Sequence, residues 1–336
     1  MVTNKPTVAI TMGDPCGIGP EVVVKALSNK EIYDWCIPVV VGNFYSMETA
    51  IAMLKSPAKI HLVTDEDNFD SDIALINVID IGNLDPEVIT QGKINPACGK
   101  AAMEWVTKAG EMAMAGRVNA LATAPLNKEA ASLAGYESIG HMELLQELTG
   151  SKTVATMLIA KNLRVVHLTT HRSLRLACDY VKKDRILDFL KITDQNFKKW
   201  GFKNPRIGVA ALNPHGSDGG LLGNEEQEEI APAVKIAQAE GMSVEGPIPA
   251  DIIFHQAING DFDAVLCMYH DQGHIPVKVY GFEESITANL GLPFVRTSVD
   301  HGTAFDIAGK GIADCLSMVE AIKLASNLAS GSRLSD

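Results

Sequence analysis

Residues 163–171 read LRVVHLTTH, an apolar, β-branched run that ends in a histidine. Two other stretches follow the same plan. RIGVAAL at 206–212 leads through Asn213 and Pro214 into His215, and DAVLCMY at 263–269 leads directly into His270. Short, nearly continuous apolar runs of this kind read as strands buried on both faces, the pattern of a parallel sheet. In such sheets ligands collect beyond the carboxyl ends of the strands. Three imidazoles delivered there from separate strands can converge on one metal ion and leave a coordination position open for a substrate. His171, His215 and His270 are therefore the candidate ligands of a divalent metal, whether Zn, Mg, Co or Mn, and the pattern points to an enzyme.

Outward from these strands the chain alternates between strand-like and helix-like periodicity, which predicts an α/β fold with a largely parallel sheet. Further strands are expected at 8–12, 38–41, 74–80 and 120–123. Helices are expected from about residue 20 and at 47–54, 99–115, 142–148, 182–200, 225–240 and 314–329. With 336 residues the chain exceeds what one small core serves, so two lobes are expected. The formal net charge of −12 argues against nucleic acid and anionic membrane surfaces as partners. It leaves room for a small anionic substrate, which needs only a local cluster of Lys and Arg. The six cysteines form no CxxC pair, and no signal peptide or apolar run of transmembrane length is present. The expectation is a reduced, cytoplasmic protein.

Two glycine-rich segments carry further chemistry. GDPCGIGPE at 13–21 lies between the first strand and the first helix, where Gly17 and Gly19 let backbone amides approach a ligand at a helix N-terminus. Its spacing is not the GxGxxG dinucleotide fingerprint. SVDHGTAFDIAGKG at 298–311 offers His301, Gly302, Thr303 and Asp306 to a nucleotide. Asp306 would accept hydrogen bonds from ribose hydroxyls and repel a 2′-phosphate, which favours NAD over NADP. The segment YHDQGHIPVK at 269–278 adds Asp271, as a second ligand or an orienting carboxylate, and Lys278 as a cation. Its other histidine, His274, reads as structural, as do His61, His167 and His255. Arg296, after an apolar run, is placed to clamp a phosphate or carboxylate.

Together these motifs resemble the 4-hydroxythreonine-4-phosphate dehydrogenase family of pyridoxal phosphate biosynthesis, including its D-threonate/D-erythronate 4-phosphate dehydrogenase branch. The matching segments are GDPCGIGPE (13–21), TAPLNKEA (123–130), GHMELL (140–145), TTH (169–171), NPH (213–215), PAD (249–251), MYHDQGH (268–274) and GLPFVRTSVDHGTAFDIA (291–308). They cover nearly the whole chain. Two of them are also similar to the isocitrate and isopropylmalate dehydrogenase superfamily, a two-lobed fold. The resemblance implies a nucleotide-binding lobe, here expected at 1–125 with 290–336, and a metal, substrate and dimerisation lobe at 126–289. It implies a homodimer with the active site at the subunit interface, where one metal histidine comes from the partner. It marks His141, Lys278 and Arg296 as substrate contacts.

The chain departs from the family pattern at two substrate positions. Met142 stands where the family has Thr. Thr287 stands where it has Asn, with Asn289 two residues later. The expected reaction is NAD-dependent oxidation of a secondary alcohol in a small phosphorylated hydroxy acid, followed by loss of carbon dioxide from the β-keto acid. Lys278, Asp251 and Asp271 are the candidates for moving the proton. A dehydrogenase of a non-phosphorylated cis-dihydrodiol carboxylate, which the thioether of Met142 would suit, and a catalytically silent metal- or nucleotide-binding regulator are the alternatives.

Overall fold

The computed structural model describes residues 5–138 and 140–331. Among them are the strands β1 Thr7–Thr11, β2 Ile37–Val41, β3 Lys59–Leu62, β4 Leu75–Ile79, β5 Ala120–Thr123, β6 Ala155–Ala160, β7 Leu163–His167, β8 Arg206–Ala210, β9 Ser243–Ile248, β10 Ala264–Cys267, β11 Ile286–Leu290 and β12 Val295–Val299. The chain divides into two compact units. The first joins Met1–Ser151 to Leu292–Ser330, and the second is built on Lys152–Gly291. The two-lobed α/β class with largely parallel sheets is the one expected.

In the first unit the strand order is β3-β4-β2-β1-β5-β12, and every neighbouring pair is parallel. Registry places Thr11 beside both Val41 and Thr123, and Thr123 beside Ser298. The loops after β1, β5 and β12 therefore leave from one edge, which is where both glycine-rich segments begin. The helices Pro96–Met114 and Leu316–Ala329 pack against these strands. The first is started by Asn95, whose side chain accepts from the Ala97 amide, with a proline in its first turn. Lacking a side chain, Gly110 seats Leu145 and Leu148: a Cβ there would lie 2.9 and 2.6 Å from their methyl carbons. That packing brings the helix His141–Thr149 into the first unit, so the boundary falls after Ser151 and not at 125.

The second unit has the order β11-β6-β7-β10-β8-β9. The pairs β7–β10, β10–β8 and β8–β9 are parallel, while β6 runs antiparallel to both β7 and β11. Its core gathers Leu158, Leu163, Val165, Ile253, Val265 and Val277, all fully buried. The three histidine-bearing strands are central and adjacent, but shorter than the apolar runs that announce them. They stop at His167, Ala210 and Cys267. His167 is therefore a strand's last residue and lies in the core, 1% exposed.

Two further differences shape the site. Residues 270–280 form a helix, His270–Tyr280, although it contains Gly273 and Pro276, both poor helix formers. Gly273 is required there by close packing: a Cβ would meet His167 Nε2 at 2.4 Å and Cys267 Sγ at 2.6 Å. Residues 225–240 form a π-turn, Glu226–Ile230, followed by the helix Ala231–Ala239, which carries a proline in its first turn. Among the described residues no helix is long and apolar enough to cross a membrane.

Candidate active site

Three short loops follow the carboxyl ends of β7, β10 and β8, and hydrogen bonds tie them to one another. The Leu168 amide donates to Cys267 O at 2.9 Å, and Thr169 Oγ1 donates to Met268 O at 2.9 Å. Gln272 spans the next gap. Its Oε1 accepts from the Met268 amide and its Nε2 donates to Ala211 O, both at 2.7 Å. Beyond Ala211, the Glu226 carboxylate accepts from the amides of Leu212 and Asn213 at 2.8 and 2.7 Å. These bonds satisfy backbone groups that a strand end would otherwise leave open.

This frame brings His171 and His270 together, with ring centroids 5.7 Å apart. Both line a concavity of about 400 Å³ with Thr170, Arg172, Tyr269 and Asp271. His215 stands apart. It is exposed and opens a run of left-handed backbone, with φ between 45° and 72° from His215 to Gly219. Among the described residues of this one chain, no group of three His, Cys, Asp or Glu is gathered for a metal. The donors that are gathered suit one nonetheless. Asp271 Oδ1 lies 2.6 Å from His270 Nδ1, which takes that nitrogen and leaves Nε2 as the donor atom.

The remaining candidates of this unit have different settings. Asp271 is engaged as the orienting carboxylate of His270. Asp251 is exposed in the first turn of the helix Ala250–Ile258. Lys278 is in the last turn of His270–Tyr280, where its Nζ donates to Ser285 Oγ at 3.1 Å and lies 5.0 Å from the centre of the Phe282 ring. Thr287 is half-buried on β11. Asn289, on the same face of that strand, is buried and donates to Ala155 O at 3.4 Å.

In the first unit Arg296 occupies the second position of β12 and is 5% exposed. Its Nε donates to Thr123 Oγ1 at 3.1 Å, across the pairing of β5 with β12. Burial pushes the guanidinium down to about 9, against the opposing pull of Glu143. His141 begins its helix nearby in charge terms. Burial, then the positive charges of Arg296 and Lys128, hold its pKa well below the usual histidine range, opposed by a backbone hydrogen bond at Ala124. Its Nε2 is buried with no hydrogen-bond partner. A buried orphan nitrogen beside a buried cation is a place for an anion or a hydroxyl. Met142 follows on the first turn, half-buried. Lys128, in the TAPLNKEA segment, adds positive charge that the reading of single residues did not single out.

The two glycine-rich segments, far apart in sequence, lie against each other in this unit. The Ile18 amide donates to Thr303 O at 3.0 Å, and a Cβ on Gly17 would come within 2.8 Å of that oxygen. Gln91 Nε2 donates to Pro15 O, and the Gly92 amide to Cys16 O. A cavity of about 370 Å³ follows, lined by Gly17, Tyr45, Met53, Ile89, Gln91 and Gly309 among others. Its walls are mostly apolar, as a nucleoside requires. Two buried carboxylates of the chain itself lie in the first glycine-rich segment. Glu21 Oε1 accepts from the Ala313 amide at 2.7 Å and from Lys25, and Asp14 Oδ1 accepts from the Cys16 amide at 2.8 Å. Gly19 packs on the backbone, since a Cβ would sit 2.2 Å from Met12 O. His301 Nδ1 donates to Gly302 O at 3.0 Å, while its Nε2 is buried without a partner; Gly302 and Asp306 are exposed.

Comparison with known proteins finds relatives over nearly the whole chain. A protein from Halalkalibacterium halodurans, provisionally named a D-threonate 4-phosphate dehydrogenase, is 46% identical over 98% of this chain and 98% of its own. The crystal structure of 4-hydroxythreonine-4-phosphate dehydrogenase from Klebsiella pneumoniae matches with a TM-score of 0.89 at 41% identity, covering 98% of this chain and 99% of that one. A terephthalate 1,2-cis-dihydrodiol dehydrogenase from Burkholderia xenovorans matches with a TM-score of 0.69 at 30% identity, over 98% and 100% of the two chains. The model of the pyridoxal phosphate biosynthetic protein PdxA matches residues 34–325, and the chain belongs to the PdxA family.

Proposed function

We propose that the protein is a metal-dependent, NAD-linked dehydrogenase that oxidises and decarboxylates D-threonate 4-phosphate or D-erythronate 4-phosphate, with 4-hydroxythreonine 4-phosphate as the next substrate in rank. The observation that carries this reading is the buried Arg296 beside His141, whose orphan Nε2 asks for an oxygen ligand. The name of the 46% identical relative supports the sugar-acid phosphate as first choice. So do Met142 and Thr287, which cannot make the contacts that Thr and Asn offer.

His171, His215 and His270 would hold the metal, with one of the three supplied by a second copy of the chain. Imidazole donors suit Zn or Co better than Mg. When bound, the metal supplies Lewis-acid polarisation of the substrate hydroxyl, and NAD accepts the hydride. Asp271 orients His270. Lys278 and Asp251 remain as the groups to take the hydroxyl proton. Arg296, His141 and Lys278 hold the anionic ends of the substrate, and Thr287 and Met142 border it. Gly17, His301, Thr303 and Asp306 frame the nucleotide. A homodimer is supported by apolar side chains on the second unit that stand in solvent. Ile275, Val279 and Phe282 are 58%, 83% and 71% exposed, and Leu221 and Leu222, just beyond His215, are 85% and 48% exposed.

The test is reduction of NAD, in the presence of Zn(II), Co(II) or Mn(II), with a panel of phosphorylated hydroxy acids and one cis-dihydrodiol carboxylate. We expect NADH and released carbon dioxide with the four-carbon acid phosphates. Turnover of the dihydrodiol alone would favour the second reading, which rests on the cis-dihydrodiol dehydrogenase neighbour. Metal binding without any turnover would mark a silent regulator.

A further inference from the structure

We infer that His274 is a positioning residue that holds the imidazole of His270 by stacking on it. The inference rests on the proposed role of His270 as a metal ligand. One turn apart on His270–Tyr280, the two rings lie with centroids 3.6 Å apart and planes 11° from parallel. His274 Nδ1 donates to the His270 carbonyl at 3.1 Å, which fixes the rotation of the stacking ring itself. His274 also meets the ring of His167, with centroids 4.5 Å apart and planes tilted by 58°. His167 is buried at the end of β7 and cannot give way, and Gly273 lets the helix settle against it.

His270 is thus restrained twice. Asp271 holds one edge of the ring, and the stack against His274 holds one face. A carboxylate at Nδ1 alone leaves the ring free to swing about that contact. A second flat group removes this freedom, so the Nε2 lone pair keeps its direction before any ligand arrives. Preorganisation of this kind shows as metal affinity, because outer partners of a ligating histidine are worth about 10–100-fold.

The experiment titrates Co(II) into wild-type protein, His270→Ala, His274→Ala and His274→Phe, with the visible absorption of bound cobalt as the second readout. Phenylalanine keeps a flat ring for stacking and loses the nitrogen. We expect His274→Ala to bind Co(II) about 10-fold or more weakly with an altered spectrum, and His274→Phe to recover most of the affinity and the wild-type spectrum. Thermal unfolding identifies any variant that has simply lost its fold. If His274→Ala matches wild type in affinity and spectrum, or if Ala and Phe lose affinity equally while folded, the stacking role is overturned. If His270→Ala binds Co(II) as wild type does, the metal reading fails, and this inference with it.

Discussion

The two units hold their functional side chains in opposite ways. In the first, Arg296 is buried and the Nε2 of the half-buried His141 is out of solvent, and burial moves the pKa of both. In the second, His171 and His215 stand exposed and His270 is only half-buried. In the first unit the Arg296 side chain and the Nε2 atoms of His141 and His301 are already out of solvent. The second has an oriented pair of imidazoles and a third at a distance, with exposed apolar side chains near two of them. Buried polar atoms of this kind suit binding. An open row of donors is built for completion by something else, here proposed to be a second copy. Mutations should therefore act on recognition in one unit and on chemistry in the other.

That contrast can be broken most directly at His270. His270→Ala should lower kcat by at least about 100-fold and remove bound metal while leaving the circular dichroism unchanged. Comparable loss of folded structure would show that the exposed row is structural after all. Arg296→Ala should raise KM for a phosphorylated acid by about 30–5000-fold, since truncating one partner of a buried charged contact costs about 2–5 kcal/mol. KM for a neutral diol should move little. A fall in kcat with KM unchanged would erase the division of labour.

Gly17→Ala sharpens the picture of the first unit. Its new methyl group would press on Thr303 O, so the two glycine segments must part. A loss of about 1–3 kcal/mol in stability is expected, together with weaker NAD binding by calorimetry. At Asp14 the effect depends on pH. Burial holds this carboxyl up at about 6, against 3.8 ordinarily. The folded state then keeps a proton that the unfolded chain has lost, so stability falls as pH rises from about 4 to about 6. Asp14→Asn keeps the acceptor for the Cys16 amide and removes the charge. It should be about 1–3 kcal/mol more stable than the parent above pH 7 and equal to it near pH 4, read from denaturant midpoints. Met142→Thr should have the smallest effect, about 0.5–1.5 kcal/mol in favour of 4-hydroxythreonine 4-phosphate over other substrates. An unchanged ranking would make Met142 a packing residue.

Much of this was legible because strong patterns are local. Three apolar runs ending in histidine marked three strands of a largely parallel sheet, and the fold adds that β7, β10 and β8 are neighbours. What depended on tertiary packing was not legible. Gly273 and Pro276 are poor helix residues, and only the close fit against His167 and Cys267 makes 270–280 a helix. Residues 126–151 read as the start of the second lobe, because nothing in Gly110 itself says that it seats Leu145 and Leu148. The strand β6 is missing from the sequence reading, because the turn that joins it to β7, Lys161 at φ 52° and Asn162, carries no glycine or proline. His274 was passed over because its meaning lies in a ring 3.6 Å away, which spacing cannot report.

The contact between Ile18 and Thr303 has a consequence for synthesis. The segment from Lys152 to Gly291 is continuous, whereas the unit around it is assembled from both ends of the chain. On a ribosome the inner unit emerges whole, while β5 must wait for its neighbour β12, and the cavity of the first unit for Gly309 in its wall. A chain cut short after Gly291 would keep its histidine loops and lose Arg296, His301 and Thr303 together. A nascent chain passes through the same state on its way to completion.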